Sequence, residues 1–368
     1  MSELVIWANS YCRSTLAFYL GLGEALGVSL KIVVLKPISP GRKKLGFSEA
    51  EFEDAVIHQY DGLADGISIL QENKNAYHIF CAYQSTTSIK LIEKAIELGI
   101  RFGIGSEAPC NMYPYPKRFF KAAYLHLILP LKVRKIIDHA DFILNYSGNE
   151  CKPLESIGWP KYKIIACGYW SPAINGCRII KRDRSSWEHF TILLSGIHQW
   201  HRSPMVLLKA LHELDKRGVK YECNITQEGP LLNKMRNYVH AKNMKHVHFL
   251  GFLPLEELIH EYENCSIYVG AGNYEPWGMR LNDVLQCGSP LAINRGMGGC
   301  KLVDDYNCGF TFSRNNHIEL ANKLEYFIKD QKEYSSISEA AFSAAPQIAP
   351  NLKAKEIATI LKQHNFID

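Results

Sequence analysis

The sequence of 368 residues has few of the features that mark secreted or membrane-spanning proteins. Its eleven cysteines form no C-x-x-C pair and are odd in number, which does not favour a disulfide framework. No apolar run approaches the roughly 18 residues that span a bilayer. Met1 is followed by Ser2, Glu3 and then the strand-like LVIWA, without a positively charged leader. We therefore expect reduced, mostly buried cysteines and a cytoplasmic protein.

Net charge is also small, at +5, and the composition is that of an ordinary globular protein. The positive excess comes from one segment, Cys110 to Ile137, which contains no Asp or Glu. Its basic residues are Lys117, Arg118, Lys121, Lys132, Arg134 and Lys135. Because the rest of the chain is close to neutral, the composition argues against nucleic-acid binding.

Aromatic residues are interleaved with these cations, among them Tyr113, Phe119, Phe120 and Tyr124. Such a mixture suits a helix that lies on an anionic membrane surface. It also fits an amphipathic helix of the core with a solvated basic face. The sequence leaves both interpretations open.

Both halves of the chain alternate strand-like and helix-like patterns, which predicts α/β architecture with parallel sheets and helices on both faces. The candidate strands of the first half are LVIWA, LKIVVL, YHIFCA, RFGIGS, FILNYS and YKIIA. Helical periodicity is predicted between them, including a stretch around AEFEDAVIHQY. A segment rich in Pro, Gly, Ser and charge, Cys167 to Phe190, separates the halves. We place an N-terminal domain at 1–170, a linker at 171–189 and a C-terminal domain at 190–350.

One glycine motif is set aside. Gly103, Gly105 and Ala108 fit the dinucleotide pattern G-x-G-x-x-A. They lie inside a strand pattern rather than after one, and Pro109 is a poor start for the phosphate-binding helix. We interpret the match as a coincidence.

The stretch from Val247 to Gly299 is the most informative part of the chain. The short β-branched runs VHFLG, SIYVG and PLAIN are typical of buried parallel strands, and helical patterns separate them. The loop GNYEPWG follows the middle strand and leads into a helix. Ligands of such sheets bind beyond the carboxyl ends of the strands, so this loop is a candidate ligand site.

The order of these motifs resembles that of the retaining glycosyltransferases with the GT-B fold, and within them family 4. The resemblance covers roughly residues 190 to 312 and includes TILLSGIHQWHRSPMVLLKAL, TQEGPLLNKM and CGSPLAINRGMGG. The first half of the chain matches in layout only. The resemblance implies two Rossmann-like, doubly wound parallel-sheet domains facing a cleft. The N-terminal domain would bind the acceptor and include the C-terminal helix at 351–368, and the C-terminal domain would bind the donor.

The family signature is Glu, seven residues, Glu, and this chain has Glu275, seven residues, Asp283. The resemblance implies that Glu275 contacts the transferred sugar and acts in catalysis. Asp283 would bind the ribose of the nucleotide, with one methylene less than the family residue. A solvated loop acid and an acid on a helix surface are the alternatives.

Arg202 aligns with the cation that holds the donor pyrophosphate in the family, and a guanidinium can do so with two hydrogen bonds. The arginine that relatives carry directly after the glycine, here Gly196, is replaced by Ile197. His198 and His201 are candidates for part of the missing charge, although lone histidines are more often structural.

Further donor-binding positions are implied by the same resemblance. Gly229 would allow the backbone to approach the nucleotide, and the backbone of Phe252 would meet the base. The N–H groups of Trp277, Gly278 and Met279, at a predicted helix start, suit the phosphates.

Glu107 follows the strand pattern RFGIGS, where many relatives have a histidine that lines the active site. We expect it to orient the acceptor or to stabilise positive charge on the sugar. The alternative is a loop acid paired with the basic segment.

Taken together, these residues predict an enzyme that transfers a sugar from a nucleoside diphosphate sugar, with UDP favoured over GDP, to a glycan or a polyprenyl- or lipid-linked acceptor. The family implies retention of configuration and a surface-polysaccharide pathway. We expect no cofactor and no metal, because the D-x-D triplet of metal-dependent glycosyltransferases is absent. A peripheral position on the inner face of the plasma membrane would follow from the basic segment.

Two rivals remain. Another enzyme of the same fold, an inverting transferase or a sugar-nucleotide epimerase, would differ in product stereochemistry. A degenerate relative would bind a sugar nucleotide or a partner transferase without catalysis, and the departures at Ile197, Asp283 and Glu107 keep that alternative open.

Overall fold

The computed structural model describes residues 3–10, 13–37, 56–110, 113, 115–148, 150–182 and 189–367. The chain divides into two compact units. The first comprises residues 1–109, 119–172 and 349–368, and the second comprises residues 110–118 and 173–348. Residues 110–118, which the sequence analysis places in the N-terminal domain, thus belong to the second unit.

The first unit is built on a parallel sheet. Its described strands are β1 (Glu3–Ala8), β2 (Ser29–Val34), β3 (Val56–Gln59), β4 (Tyr77–Phe80), β5 (Phe102–Ser106), β6 (Ile143–Asn145) and β7 (Ile164–Ala166). Their order across the sheet is β3-β2-β1-β4-β5-β6-β7, and all neighbours pair in parallel.

Six of these strands coincide with the six predicted segments, β1 and β2 beginning one residue earlier than predicted, and β3 was missed. The stretch around AEFEDAVIHQY was predicted to be a helix, and residues 50–55 of it lie outside the described part of the chain. Val56–Gln59 is instead a strand that pairs with Lys31–Val34 of β2. The adjacent β-branched residues Val56 and Ile57 favour that conformation, and an edge of the sheet was available for them.

The helices of the first unit pack on this sheet. They are Arg13–Leu26, Gly62–Glu72, Thr86–Glu97, Leu129–His139, Lys152–Glu155 and Pro350–Gln363, with a π-helical turn at Tyr124–Ile128. The helix Lys117–Ala123 crosses the boundary between the two units. The last helix, Pro350–Gln363, packs against Arg13–Leu26 and so returns the end of the chain to the first unit.

The second unit has the same architecture. Its described strands are β8 (Thr191–Ser195), β9 (Glu222–Thr226), β10 (Val247–Gly251), β11 (Ile267–Gly270), β12 (Leu291–Asn294) and β13 (Gly309–Phe312). They are ordered β10-β9-β8-β11-β12-β13, again in parallel. The helices are Met205–Lys216, Leu232–Ala241, Leu255–Asn264, Arg280–Gln286, Cys300–Tyr306, His317–Lys329 and Gln331–Ala344.

The strands form as continuous apolar runs because both faces of each sheet are covered. Residues 4–8 of β1 and all of β12 are buried, with little alternation of polar and apolar side chains. Each fully buried Val, Leu or Ile side chain stabilises the fold by about 1.5–3 kcal/mol. The α/β fold predicted from the alternating pattern is confirmed in both units.

The glycine pair of β5 serves packing. A Cβ atom at Gly103 would lie 2.4 Å from Cζ of Phe142, and one at Gly105 would lie 2.2 Å from the hydroxyl of Tyr146. Both glycines lie inside a strand, as the sequence pattern indicated. The space that they leave is filled by aromatic rings.

Arg182 anchors the start of the second unit. Its buried guanidinium donates to the carbonyl oxygens of Cys287, at 2.6 Å, and Tyr262, at 2.8 Å, and to the hydroxyl of Ser289. Hydrogen bonds from a charged donor are the strong ones. The part of the predicted linker that contains Arg182 is thereby fixed against the end of helix Leu255–Asn264 and the turn before β12.

The cysteine prediction is wrong at one pair: Cys177 and Cys287 form a disulfide, with Cα atoms 6.0 Å apart. The hydrogen bond from the N–H of Ile180 to the carbonyl of Cys287 explains how residues 110 positions apart in the chain come together. Cys167, Cys223, Cys265 and Cys308 are buried, as expected for most of the cysteines.

None of the described helices combines the length and the apolar character that a membrane crossing requires.

Replacing Arg182 by methionine should destabilise the second unit by about 3 kcal/mol, because several buried oxygens lose a charged donor. Urea unfolding followed by tryptophan fluorescence measures the change. Lys181→Met is the matched control, since Lys181 is an exposed neighbour whose ion pair with Glu339 contributes little. Equal unfolding midpoints for the two variants would contradict the anchoring role.

Candidate active site

The candidate site lies at the carboxyl ends of the strands of the second unit. The strand order reverses between β8 and β11, so the loops after these two strands leave the sheet in opposite directions. A crevice at such a reversal is where ligands of open α/β sheets bind. The loop after β8 contains Gly196 to Arg202, and the loop after β11 contains Glu275.

Backbone hydrogen bonds hold the loop after β8 to its neighbours. The N–H of His198 donates to the carbonyl of Glu228 at 3.0 Å, and the carbonyl of His198 accepts from Leu231 at 3.0 Å. The carbonyl of His201 accepts from the N–H of Asn273 at 2.9 Å. The loops after β8, β9 and β11 therefore form one connected rim.

Gly229 permits the close approach of the loop after β9 to the loop after β8. A Cβ atom at Gly229 would lie 2.5 Å from both the N and the O atoms of His198. Any side chain would separate the two loops. The sequence analysis proposed that Gly229 brings backbone close to a nucleotide, and the structure shows that it brings two loops together.

Glu275 is fixed by its backbone. Its N–H donates to the carbonyl of Gly296 at 3.2 Å, and its carbonyl accepts from the N–H of Gly298 at 3.1 Å. A Cβ atom at Gly296 would lie 2.2 Å from the carbonyl oxygen of Asn273, so only glycine fits there. The loop after β12 thus supports the loop that carries Glu275.

Two side chains from the loop after β8 reach the Glu275 carboxylate. Oε2 of Glu275 lies 3.3 Å from Nε of Arg202 and 3.8 Å from Nε2 of His201. The Glu275 side chain is 16% exposed and that of Arg202 is 30% exposed. Arg202 and Glu275, which lie 73 positions apart in the sequence, are therefore neighbours in a partly open site.

Both histidines of this loop are held neutral. Burial lowers the pKa of His198 to about 4, and the positive charges of Arg280 and Arg202 act in the same direction. Burial also lowers the pKa of His201, against the effect of Glu275 and with that of Arg202. Neither histidine therefore supplies positive charge at neutral pH, and the expectation that they compensate for Ile197 is not supported.

Arg280, which the sequence analysis did not single out, belongs to the site. A Cβ atom at Gly196 would lie 3.0 Å from Nη1 of Arg202 and 3.4 Å from Nη1 of Arg280. A sequence signal did exist, because Arg280 is the first residue of a helix, where the macrodipole disfavours a cation.

Asp283 and Trp277 lie around the start of the same helix. Asp283 is half-buried, and its charge helps to raise the pKa of Arg280 together with Tyr262 and Tyr268, although burial of the guanidinium acts in the opposite direction. The indole of Trp277 is buried and donates to Oδ1 of Asn282 at 2.7 Å. Its side chain therefore stabilises the loop from within.

Gly278 and Met279 come directly before that helix, and Gly278 has φ +98°. Among the residues that the structure describes, the N–H groups of Gly278 and Met279 find no acceptor. They stay candidate phosphate donors.

A second group that sequence reasoning missed surrounds the aromatic pair Trp200 and Tyr274. Their rings stack at 5.4 Å, and the guanidinium of Arg118 lies 4.5 Å from the ring centre of Tyr274. Arg118 also donates to the Tyr274 hydroxyl at 2.7 Å, and Arg314 lies 5.5 Å from the same ring. Arg118 was predicted on a membrane or acceptor surface, whereas the structure places its side chain beside the residue that precedes Glu275.

Phe252 follows β10, and its side chain is 56% exposed. The strand end is held by a hydrogen bond from the N–H of Gln227 to the carbonyl of Gly251. An exposed ring at this edge is free to meet a ligand, and the predicted contact of its backbone with the base stays a prediction.

Glu107 belongs to the first unit and follows β5. Its Oε1 accepts a hydrogen bond from the hydroxyl of Tyr169 at 3.1 Å, and the Tyr169 ring lies 4.8 Å from that of Tyr146. The hydroxyls of Tyr146 and Tyr19 are 2.5 Å apart. Glu107 thus joins a tyrosine cluster at the carboxyl edge of its own sheet.

In the described ranges, no three His, Cys, Asp or Glu side chains are arranged to hold a metal ion.

The match to a known family covers most of the second unit, which contains this site. Residues 179–344 match the model of the family described as Glycosyl transferases group 1. The chain is 24% identical over 302 residues to the uncharacterized glycosyltransferase YqgM of Bacillus subtilis, which covers 80% of this chain and 79% of that protein. It is 25% identical over 135 residues to the uncharacterized glycosyltransferase MJ1178 of Methanocaldococcus jannaschii, 36% of this chain and 37% of that protein. The match thus spans little more than a third of the MJ1178 protein.

Solved structures show the same fold. Alr3699/HepE of Anabaena, in complex with UDP and glucose, superposes with a TM-score of 0.67 at 12% identity and covers 99% of this chain and 100% of that one. The lipopolysaccharide outer core galactosyltransferase WaaB gives a TM-score of 0.66 at 14% identity, with 98% and 100% covered. The GT-B fold class is thereby confirmed, and the match to the group 1 family model covers residues 179–344.

The buried neutral His198 predicts a pH dependence of stability. An unfolded histidine takes up a proton near pH 6.5, whereas the folded one resists until about pH 4. The unfolded state therefore binds more protons in this window, and the stability of the second unit falls as the pH drops from about 7 to about 4, by up to about 3 kcal/mol. Urea unfolding across this range should show a flatter profile for His198→Gln than for the wild type.

Exposed His240 provides the control, and His240→Gln should keep the wild-type profile. Burial also lowers the pKa of His78, in the first unit, to about 4. His78 therefore adds the same pH dependence of stability to the wild type and to both variants. A His198→Gln profile parallel to that of the wild type would show that His198 is not held neutral.

Proposed function

We propose that this chain is a retaining glycosyltransferase of the family 4 type, which transfers a sugar from a nucleoside diphosphate sugar without a metal ion. The observation that carries the proposal is the contact of Arg202 and His201 with Glu275 at the strand reversal of the second sheet. It combines a carboxylate for sugar hydroxyls with a cation for a diphosphate at the edge where such ligands bind.

The reaction requires that the bond between the anomeric carbon and the phosphate oxygen breaks while the acceptor oxygen bonds to the same face. The acceptor proton goes to an oxygen of the departing phosphate, so no enzymic nucleophile is used. Arg202 stabilises the leaving diphosphate and Glu275 orients the sugar. Because the carbonyl of Gly296 accepts from the N–H of Glu275 and the N–H of Gly298 donates to its carbonyl, the Glu275 loop is fixed and little reorganisation is needed as charge develops.

UDP is the favoured donor nucleotide, with GDP as the alternative. The structures of Alr3699/HepE with UDP and glucose and of the pneumococcal O-GlcNAc transferase GtfA with UDP and GlcNAc support this choice by likeness of fold. WaaB, a lipopolysaccharide galactosyltransferase, supports a glycan or lipid-linked acceptor in surface-polysaccharide synthesis. Asp283 is the proposed ribose ligand, and Glu107 is the proposed acceptor residue of the first unit.

A catalytically degenerate protein that binds a sugar nucleotide or a partner transferase is the second candidate. The exposed apolar side chain of Ile197, directly after Gly196, favours it, because an ordinary diphosphate site would have a cation there. Nucleotide binding without sugar transfer would distinguish this candidate. Inversion at the anomeric carbon, seen by NMR of the product, would instead indicate an inverting enzyme.

The central prediction separates binding from transfer. UDP, GDP, ADP or CDP at millimolar concentration should raise the melting temperature selectively, since a ligand of the native state stabilises it. Arg202→Ala should abolish that shift. Glu275→Gln should keep most of it and lower sugar transfer by about 100-fold, because a charge-assisted contact to the reacting sugar is lost.

Glu339→Gln is the control, since Glu339 is an exposed carboxylate of the same unit that pairs with Lys181. It should leave both the shift and the transfer rate unchanged. Unchanged turnover in Glu275→Gln would remove Glu275 from the active site.

We further propose that the basic segment binds an anionic membrane surface and places the protein at its cytoplasmic face. Five apolar side chains of the first unit are exposed there: Phe119, Phe120, Leu127, Ile128 and Leu131. Lys132, Arg134 and Lys135 are exposed next to them in the chain. An apolar surface bordered by cations is typical of an interfacial helix. Because Cys177 and Cys287 form a disulfide, the cysteines no longer argue for a cytoplasmic location. We therefore infer that location from the proposed nucleotide-linked donor alone.

Vesicle sedimentation tests this surface. The wild type should bind vesicles that contain anionic lipid and be released by high salt, since surface charge attraction is screened. Leu127→Ser with Leu131→Ser should weaken binding at least about tenfold, because two apolar side chains no longer enter the interface. The control is Ile318→Ser, an exposed apolar residue of the second unit. Equal binding to neutral and anionic vesicles would contradict the proposal.

A further inference from the structure

Two guanidinium groups lie against one glycine. Gly196 directly follows β8 and has φ +130°, a conformation that residues other than glycine rarely adopt. The space where its Cβ would be is bordered by Nη1 of Arg202 at 3.0 Å and by Nη1 of Arg280 at 3.4 Å. The missing side chain leaves the donor groups of both arginines facing the same small volume.

The fixed charges around this volume leave Arg280 without a direct counter-ion. Arg202 contacts the carboxylate of Glu275. Within the described residues, no carboxylate lies within ion-pair distance of Arg280, and Asp283 acts on it only as a more distant charge. Two like charges this close repel each other, and the cost is largest where water is partly excluded.

Two tyrosines near Arg280 do not neutralise its charge. Its guanidinium is close to the phenol rings of Tyr262 and Tyr268, and the Tyr268 hydroxyl donates to the carbonyl of Ser195 at 2.9 Å. Burial raises the pKa of Tyr268 to about 12, so that phenol stays uncharged. Arg280 is therefore a cation beside Gly196 that these tyrosines do not compensate, and Arg202, 30% exposed, opens the pair to solvent.

We propose that Arg280 and Arg202 together bind the diphosphate of the donor, with Arg280 as a second phosphate ligand contributed by the helix after the Glu275 loop. The identity of the anion as part of a nucleoside diphosphate sugar rests on the proposed function, whereas the anion site itself does not. A diphosphate carries enough negative charge to satisfy both guanidinium groups, and each can bind it with two parallel hydrogen bonds.

The pair also accounts for Ile197. The chain lacks a cation directly after Gly196, and Arg280 brings its guanidinium to the same glycine from another loop. Positive charge is thus present at this point of the site although it comes from a different position in the sequence.

Three probes test the inference by titration calorimetry: inorganic pyrophosphate, UDP and uridine. The variants are Arg280→Gln and Arg280→Lys. The matched control is Arg217→Gln, because Arg217 pairs with Glu325 at the far end of helix Met205–Lys216, away from the strand ends that form the site.

Arg280→Gln should weaken pyrophosphate and UDP by about ten- to hundredfold, the loss expected for a charge-assisted contact. Uridine, which has no phosphate, should bind the variant within about twofold of the wild type. Arg280→Lys should recover only part of the loss, because an ammonium lacks the bidentate geometry. Arg217→Gln should behave as the wild type with all three probes.

A variant Arg280→Gln that binds pyrophosphate as the wild type does would overturn the inference. So would an equal loss for uridine and UDP together with a large drop in melting temperature, which would identify Arg280 as a structural residue. If pyrophosphate binds in an Arg280-dependent manner and no nucleoside diphosphate binds more tightly than pyrophosphate, the anion site stands and the proposed function fails.

A double variant that moves the guanidinium from position 280 to position 197 gives an independent check. Ile197→Arg in the Arg280→Gln background returns a guanidinium to Gly196 from the adjacent position, where the present side chain is 42% exposed and can be replaced without disturbing the core. Affinity for pyrophosphate should return to within about threefold of the wild type. A folded double variant as weak as Arg280→Gln alone would contradict the idea that the location of the charge at Gly196 is what matters.

Discussion

The site depends on one constraint, the reversal of strand order between β8 and β11 in a sheet whose faces are both covered. Helices occupy the two faces, so an opening to solvent exists only at the strand ends, and the reversal separates the loops there. Glu275 and Arg202 lie on the two loops that diverge at this point. Topology therefore brings both loops to the same opening, and their side chains make the contact across it.

Backbone hydrogen bonds then fix the rim of this opening. The loop after β8 is bonded to the loops after β9 and β11, and the loop of Glu275 is bonded to the one after β12. Glycine is required at Gly229 and Gly296 because these chains approach too closely for a Cβ atom. The charged side chains of the site are consequently presented on a backbone frame that these hydrogen bonds hold. Because the backbone forms this frame, a cation of the site can come from another position in the sequence, as Arg280 does at Gly196.

The sequence predicted what local patterns encode. Buried strands, the two-unit α/β architecture and the position of Glu275 after a strand followed from apolar runs and from a multi-part resemblance in register. What it missed depends on tertiary proximity. Arg280, the Trp200–Tyr274–Arg118 group and the Cys177–Cys287 pair join residues that are far apart in the chain, and no periodicity reports such contacts. Strand β3 was missed because a short edge strand with charged neighbours resembles an amphipathic helix.

The return of the last helix to the first unit has a consequence for biosynthesis. Arg13–Leu26 packs against Pro350–Gln363, so one face of the earliest helix has no partner until the final residues of the chain are synthesised. Units usually fold in the order in which they leave the ribosome. Here the second unit, whose last residue is 348, can complete its core first, and the first unit closes only afterwards. The apolar surface of a nascent first unit therefore stays open throughout translation of the second, which is the interval in which a chaperone would be most needed.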